Sequence, residues 1–234
     1  MVTGVAARPA TPLRVKAVMI DLDGTLADTI PDLAAATNQM LRELGLAELD
    51  VGKIRTFVGK GIPKLVERSL AASTRGEISA DLMARALPVY ERCYSEANGK
   101  QSVIYPGVRE GLRALHGMQL PLACVTNKSG RFTTPLLEQL GILGYFQQVV
   151  AGDTLPQKKP DPAQLLHACR GFGIAPGDML MIGDSGNDAE AARAAGCPVF
   201  CVTYGYNEGR DVRELDVDAI VPSLIEAARL IYKA

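Results

Sequence analysis

The 234-residue sequence contains no tryptophan, only two histidines, and five cysteines without a CxxC pair. With His116 and His167 alone, neither a histidine-rich metal centre nor histidine-based catalysis is expected. Cys93, Cys124, Cys169, Cys197 and Cys201 lack the spacing of a zinc site or disulfide framework. Cys124 and Cys201 lie in apolar runs, where cysteine behaves as a small hydrophobe. An excess of one charge is missing too. The 25 Lys and Arg nearly balance 26 Asp and Glu, which removes any whole-chain case for nucleic acid or an anionic membrane surface. No uninterrupted apolar run approaches the ~18 residues of a spanning helix. Residues 1–11 also lack the apolar centre of a signal peptide. A reduced, cytoplasmic setting with no nucleic-acid or membrane partner is the expectation.

What is present is a regular alternation. Short, mostly apolar runs occur at 15–22 (VKAVMIDL), 120–126, 148–151, 179–183, 198–202 and 219–221, as suits strands buried on both faces. Between them, 108–115, 134–140, 162–172 and 188–195 carry apolar residues at helical spacing. Gly141, Gly173 and Gly196 follow three of these helices as C-terminal caps. The alternation predicts an α/β fold with a doubly wound parallel sheet. Residues 1–14 read as an aperiodic lead-in. Residues 31–101 break the pattern, with helical segments at 31–44, 64–72 and 78–97 and no strand. Such a stretch is too long for a connection. We expect an inserted α-helical cap at 31–101 above a core made of 1–30 and 102–234.

In a sheet of this kind ligands bind at the carboxyl ends of the strands. Those ends read Asp21-Leu22-Asp23-Gly24-Thr25, Thr126-Asn127-Lys128, Lys158-Lys159-Pro160 and Gly183-Asp184-Ser185-Gly186-Asn187-Asp188. Asp21 and Asp23, two residues apart on an extended chain, point the same way. Their repulsion favours a shared cation, and with Asp184 they form an oxygen-only set suited to Mg²⁺. Thr126 and Asn127 offer neutral donors and Lys159 a cation for a phosphoryl group. Any one of these segments could be a plain turn or helix cap. Four in this order are hard to explain that way.

These motifs resemble those of the haloacid dehalogenase superfamily of phosphotransferases. Asp21 to Leu26 (DLDGTL) matches its first motif, Thr126 the second, Lys159 before Pro160 the third, and Gly183 to Asp188 the fourth. The resemblance implies a Rossmann-like core and a phosphatase. Asp21 would be the nucleophile and Asp23 the general acid and base. Mg²⁺ would be held by the Asp21 carboxylate, the Asp23 main-chain carbonyl and Asp184. Asp188 would orient the metal's waters or Lys159, while Lys159 and Thr126 would bind the phosphoryl. An aspartate at position 23 sets the chain apart from the superfamily's dehalogenases, phosphonate hydrolases and ion pumps.

The cap segment Phe57-Val58-Gly59-Lys60-Gly61 is similar to the cap loop of bacterial phosphoglycolate phosphatases, as is the run from Asp153 to Pro162. Gly59 and Gly61 would admit close backbone approach, and Lys60 would meet a glycolate carboxylate. Lys60 as a solvated turn residue is the alternative. The expected substrate is a small phosphate ester, 2-phosphoglycolate first. A sugar phosphate, nucleotide or pyrophosphate, or a phosphomutase reaction, remains open. A phosphorylation-switched receiver module is disfavoured by length and by the nucleophile's place after the first strand. The apolar positions Leu33, Leu41, Leu65, Leu82 and Tyr90 serve either a cap core or a homodimer contact.

Overall fold

Residues 12–74 and 78–234 are described by the computed structural model. The chain runs β1 (Leu13–Val15), β2 (Ala17–Ile20), β3 (Ala27–Asp28), α1 (Ile30–Glu43), α2 (Val51–Arg55), α3 (Ile62–Thr74), α4 (Ala80–Ala97) and β4 (Val103–Ile104). It continues α5 (Val108–Gly117), β5 (Leu122–Val125), α6 (Gly130–Gln139), β6 (Gln148–Val150), α7 (Ala163–Phe172), β7 (Met179–Gly183), α8 (Gly186–Ala195) and β8 (Val199–Val202). β9 (Ala219–Val221), α9 (Leu224–Arg229) and β10 (Ile231–Lys233) end it.

The apolar runs pair as a six-stranded sheet in the order β6-β5-β2-β7-β8-β9, every neighbour parallel. Every residue of β2, β5, β7 and β8 is buried, which is why their sequences are apolar throughout rather than alternating. Pleating still sorts them by face. Val18, Ile20, Leu122 and Ile182 pack with α5, α6 and α9. Met19, Ala123, Val125 and Met181 pack with α7 and α8.

A third apolar cluster belongs to α1–α4. Leu33, Leu41, Leu65 and Tyr90 are buried in it and Leu82 packs against it, so these positions build an internal core. Where the chain leaves for these helices and returns, β3 and β4 pair antiparallel. Asp32 ties the same junction. Its fully buried carboxylate accepts hydrogen bonds from Gly99 N (2.9 Å), Gln101 N (2.9 Å), Ser102 N (3.0 Å) and Ser102 Oγ (2.6 Å).

Three features differ from the sequence reading. Leu13 and Arg14 are not lead-in, because β1 pairs parallel with β10 and joins the two ends of the chain. The rest of that segment, 1–11, lies outside the described residues. β3, β4 and β10 are two or three residues long, too short to carry a period. α2 is also short. It is started by Asp50, whose side chain accepts from Gly52 N at 2.7 Å.

Candidate active site

The carboxyl ends of β2, β5 and β7 open on one cavity of about 40 Å³. Asp21 and Asp23 both line it, with Leu22 buried between them. The turn after them needs Gly24, which has φ +90° and whose missing Cβ leaves room for the Asp184 carboxylate. Thr126, Asn127, Lys128, Asp184 and Ser185 complete the floor. Leu33, Val58, Ile62, Leu65 and Tyr94, from α1, α3, α4 and the loop between α2 and α3, form an apolar roof.

Lys159 is fixed beneath the floor. Its buried ammonium donates to Val125 O and Asp188 Oδ1, each at 2.7 Å, and lies 3.0 Å from Asp21 Oδ1. The last contact lacks hydrogen-bond alignment, so Asp21 Oδ1 is buried beside a cation without a true donor. Asp188 Oδ2 accepts from the main-chain N–H of Asp184 and Ser185 and from Ser185 Oγ. It thus shapes the β7–α8 turn while holding Lys159. Asp184 accepts from Thr25 Oγ1 at 3.2 Å and Tyr206 N at 2.6 Å.

Oxygens of Asp21, Asp184 and Asp188 lie within 4.8 Å of one another, all three residues buried. Burial pushes the Asp21 carboxyl up to about 7 against the attraction of Lys159, and the Asp188 and Asp23 charges add to the rise. Burial pushes Asp184 up to about 8, with Asp188 and Asp21 adding. Crowded carboxylates, an underbonded oxygen and no nitrogen or sulfur ligand fit a small hard divalent cation. The Asp23 carboxylate stands apart, accepting from Lys128 Nζ (2.9 and 3.2 Å) and Thr29 Oγ1 (2.7 Å).

A linkage follows. Both raised carboxyls bind protons in the folded chain at pH values where the unfolded chain has released them. Metal-free stability therefore falls as pH rises from about 4 through about 8. Melting in EDTA should show a Tm at least ~5 °C lower at pH 8 than at pH 6. Mg²⁺ should raise Tm most at the alkaline end. A flat EDTA profile would show that these acids carry no folding strain.

The remaining expected residues fall out unevenly. Thr126 is buried at the cavity. Asn127 also lines it, but its amide is committed elsewhere: Nδ2 donates to Gly59 O and Lys159 O, each at 2.8 Å, and Oδ1 accepts from Lys159 N. It fastens the cap loop to the floor, leaving no free side-chain N–H for a phosphoryl group. Gly59 and Gly61 do line the cavity, at φ +119° and +80°. Lys60 between them does not. The two turns direct its side chain outward, where the ammonium lies 3.4 Å from Glu208 Oε1. Without substrate, the Lys60 ammonium thus sits beside Glu208 of the core rather than among the residues lining the cavity. Lys158, expected to be solvated, lies half-buried with its ammonium near Gly61.

Residues that the motifs do not mark complete the site. Lys128 is buried against Asp23. Its place just past β5 was visible, but its burial was not. The loop from Tyr204 to Glu208 is the other omission. Tyr206 supplies its N–H to Asp184, and Asn207 Oδ1 accepts from Gly186 N at 3.0 Å. A Cβ at Gly205 would overlap the Asp184 side chain. The same loop receives the cap: Arg55 donates to Tyr204 O (3.1 Å) and Gly205 O (2.8 Å), and Arg68 pairs with Glu208 at 2.6 Å.

Residues 18–202 match the family model described as haloacid dehalogenase-like hydrolase. A phosphoglycolate phosphatase of Nitrosospira multiformis is 62% identical over 223 residues, covering 95% of this chain and 98% of that protein. One from Thiobacillus denitrificans is 52% identical with the same coverage. Among solved structures, a predicted phosphoglycolate phosphatase from Haemophilus somnus superposes with TM-score 0.87 at 33% identity, covering 91% of this chain and 96% of that one.

Proposed function

Because the chain belongs to the haloacid dehalogenase-like hydrolase family, we propose that it is a Mg²⁺-dependent phosphatase that converts 2-phosphoglycolate to glycolate and phosphate. The reading rests most on the cavity, where Asp21, Asp23 and the clustered carboxylate of Asp184 lie under an apolar roof. An apolar roof closed over the acids favours a small leaving group over a polar hexose or nucleoside. The names of the relatives from Nitrosospira and Thiobacillus agree.

Asp21 attacks phosphorus, its new O–P bond forming as the ester O–P bond breaks, to give an aspartyl-phosphate. Asp23 gives its proton to the leaving glycolate oxygen. It then takes a proton from water as that water attacks phosphorus, which releases phosphate and restores Asp21. Thr126 meets the transferring phosphoryl, and Lys159, which Asp188 keeps in position 3.0 Å from Asp21, offsets charge from beneath the floor. Asp21, the Asp23 main-chain carbonyl and Asp184 would hold Mg²⁺, which when bound supplies charge neutralisation for the nucleophile and the phosphoryl oxygens.

Phosphate release from 2-phosphoglycolate, hexose 6-phosphates, nucleoside monophosphates and pyrophosphate tests the reading, each with Mg²⁺ and with EDTA. We expect 2-phosphoglycolate to lead by at least about 100-fold in kcat/KM, roughly 2.7 kcal/mol of transition-state binding. EDTA should abolish release. A hexose phosphate in the lead would overturn the substrate and leave the chemistry standing. Mg²⁺-independent release would overturn the cofactor.

A further inference from the structure

A lysine is rarely buried unless its charge is matched. Lys128 is only 5% exposed, and two things match it. Its ammonium contacts both oxygens of Asp23, and it stands 4.8 Å from the ring centroid of Tyr94, on α4 of the cap. The backbone beneath it is pinned. Lys128 O accepts from Gly152 N at 2.7 Å and from Thr133 Oγ1 at 3.1 Å, and its N–H donates to Thr126 Oγ1 at 3.3 Å. The ammonium is therefore a fixed feature of the cavity wall.

It is also the one cationic side chain that lines the cavity among the described residues. The roof opposite is apolar apart from Tyr94, whose hydroxyl is buried without a partner. A substrate carboxylate entering such a space is strongly disfavoured unless a cation receives it. Lys60, turned out to Glu208, does not supply one.

We propose that Lys128 is the specificity-determining residue for the leaving group, its ammonium binding a carboxylate one carbon away from the bridging oxygen. The inference rests on the phosphoglycolate reading above and deepens it. In that mechanism Asp23 meets the bridging oxygen, and Lys128 already touches Asp23. Groups that meet Asp23 and Lys128 must therefore be neighbours on the substrate, as the oxygen and carboxylate of an α-hydroxy acid are. The class selected is phosphate esters of small α-hydroxy acids. Asp23 keeps its hydrogen bond from Thr29 while sharing the ammonium with the substrate.

The test compares 2-phosphoglycolate with ethyl phosphate, which keeps the two-carbon ester and lacks the carboxylate. Wild type should prefer 2-phosphoglycolate strongly in kcat/KM. Lys128→Met should lose about 100-fold more activity on 2-phosphoglycolate than on ethyl phosphate, which collapses the ratio. Lys60→Ala should keep the wild-type ratio. Lys128→Gln retains a donor for Asp23 and reads the same ratio should the methionine variant fail to fold. Equal losses on both substrates would overturn the inference and make Lys128 a positioning residue for Asp23. A collapse of the ratio in Lys60→Ala would overturn it in favour of the cap loop. If wild type itself shows no preference, the phosphoglycolate reading falls first, and this inference with it.

Discussion

Asp21→Asn will lose phosphatase activity by roughly four orders of magnitude or more, as expected when a covalent nucleophile is removed, and will gain heat stability in EDTA at pH 8. The first effect follows from chemistry: an amide oxygen in the same place does not attack phosphorus to give a hydrolysable intermediate. The second follows from the environment. At pH 8 the buried Asp21 carboxyl, pushed up to about 7, is mostly ionised among Asp23, Asp184 and Asp188. Lys159 at 3.0 Å does not offset that burial. A neutral isostere removes a repelling charge, so metal-free Tm should rise while the increment produced by Mg²⁺ shrinks. Phosphate release and paired melts with EDTA and Mg²⁺ check both. An inactive but less stable variant would mean that Asp21 holds the fold together, against the direction of its shift.

Asp32→Ala will lower stability by about 4 kcal/mol, a Tm loss on the order of 8–16 °C for a chain of this size. The loss comes from what is left behind. The buried N–H groups of Gly99 and Ser102, the part-buried N–H of Gln101 and the buried Ser102 hydroxyl would lose their acceptor. Asp32→Asn, which keeps one acceptor oxygen, should lose about half as much. Denaturant melts at one pH give the comparison, and an alanine variant within 2 °C of wild type would show that the clamp contributes nothing.

Asp32 also shows where the sequence stops being legible. The six apolar runs announced the sheet because four of them are buried on both faces, a pattern that survives in sequence alone. Three of the four motif segments announced their residues because Asp21, Thr126 and Asp184 each follow a strand directly, while Lys159 was marked only by the proline after it. Asp32 sits inside a helix and bonds residues 99–102, so no local pattern marks it. Lys128 and Tyr94 meet across the cap and core, which makes their contact a property of packing. The direction of Lys60 is illegible for a related reason. Flanking glycines mark a place where the backbone can turn, yet the way a side chain leaves such a turn depends on φ values that composition does not carry. The Asn127 amide is consumed by Gly59 and Lys159, two segments distant in sequence, which no local pattern shows.

The cavity is built from two sources that barely overlap in chemistry. Its floor holds every acid and the one ammonium, and four of its roof side chains are plain hydrocarbon from α1, α3 and the loop before α3. Descendants of this chain could therefore exchange Leu33, Val58, Ile62 or Leu65 for other shapes and reach other small esters without disturbing phosphoryl transfer. The loop at 204–208 offers no such freedom, since it supports Asp184 on one side and receives Arg55 and Arg68 on the other. Divergence in what is cleaved has an open route through the roof, while divergence in how it is cleaved is blocked at the floor.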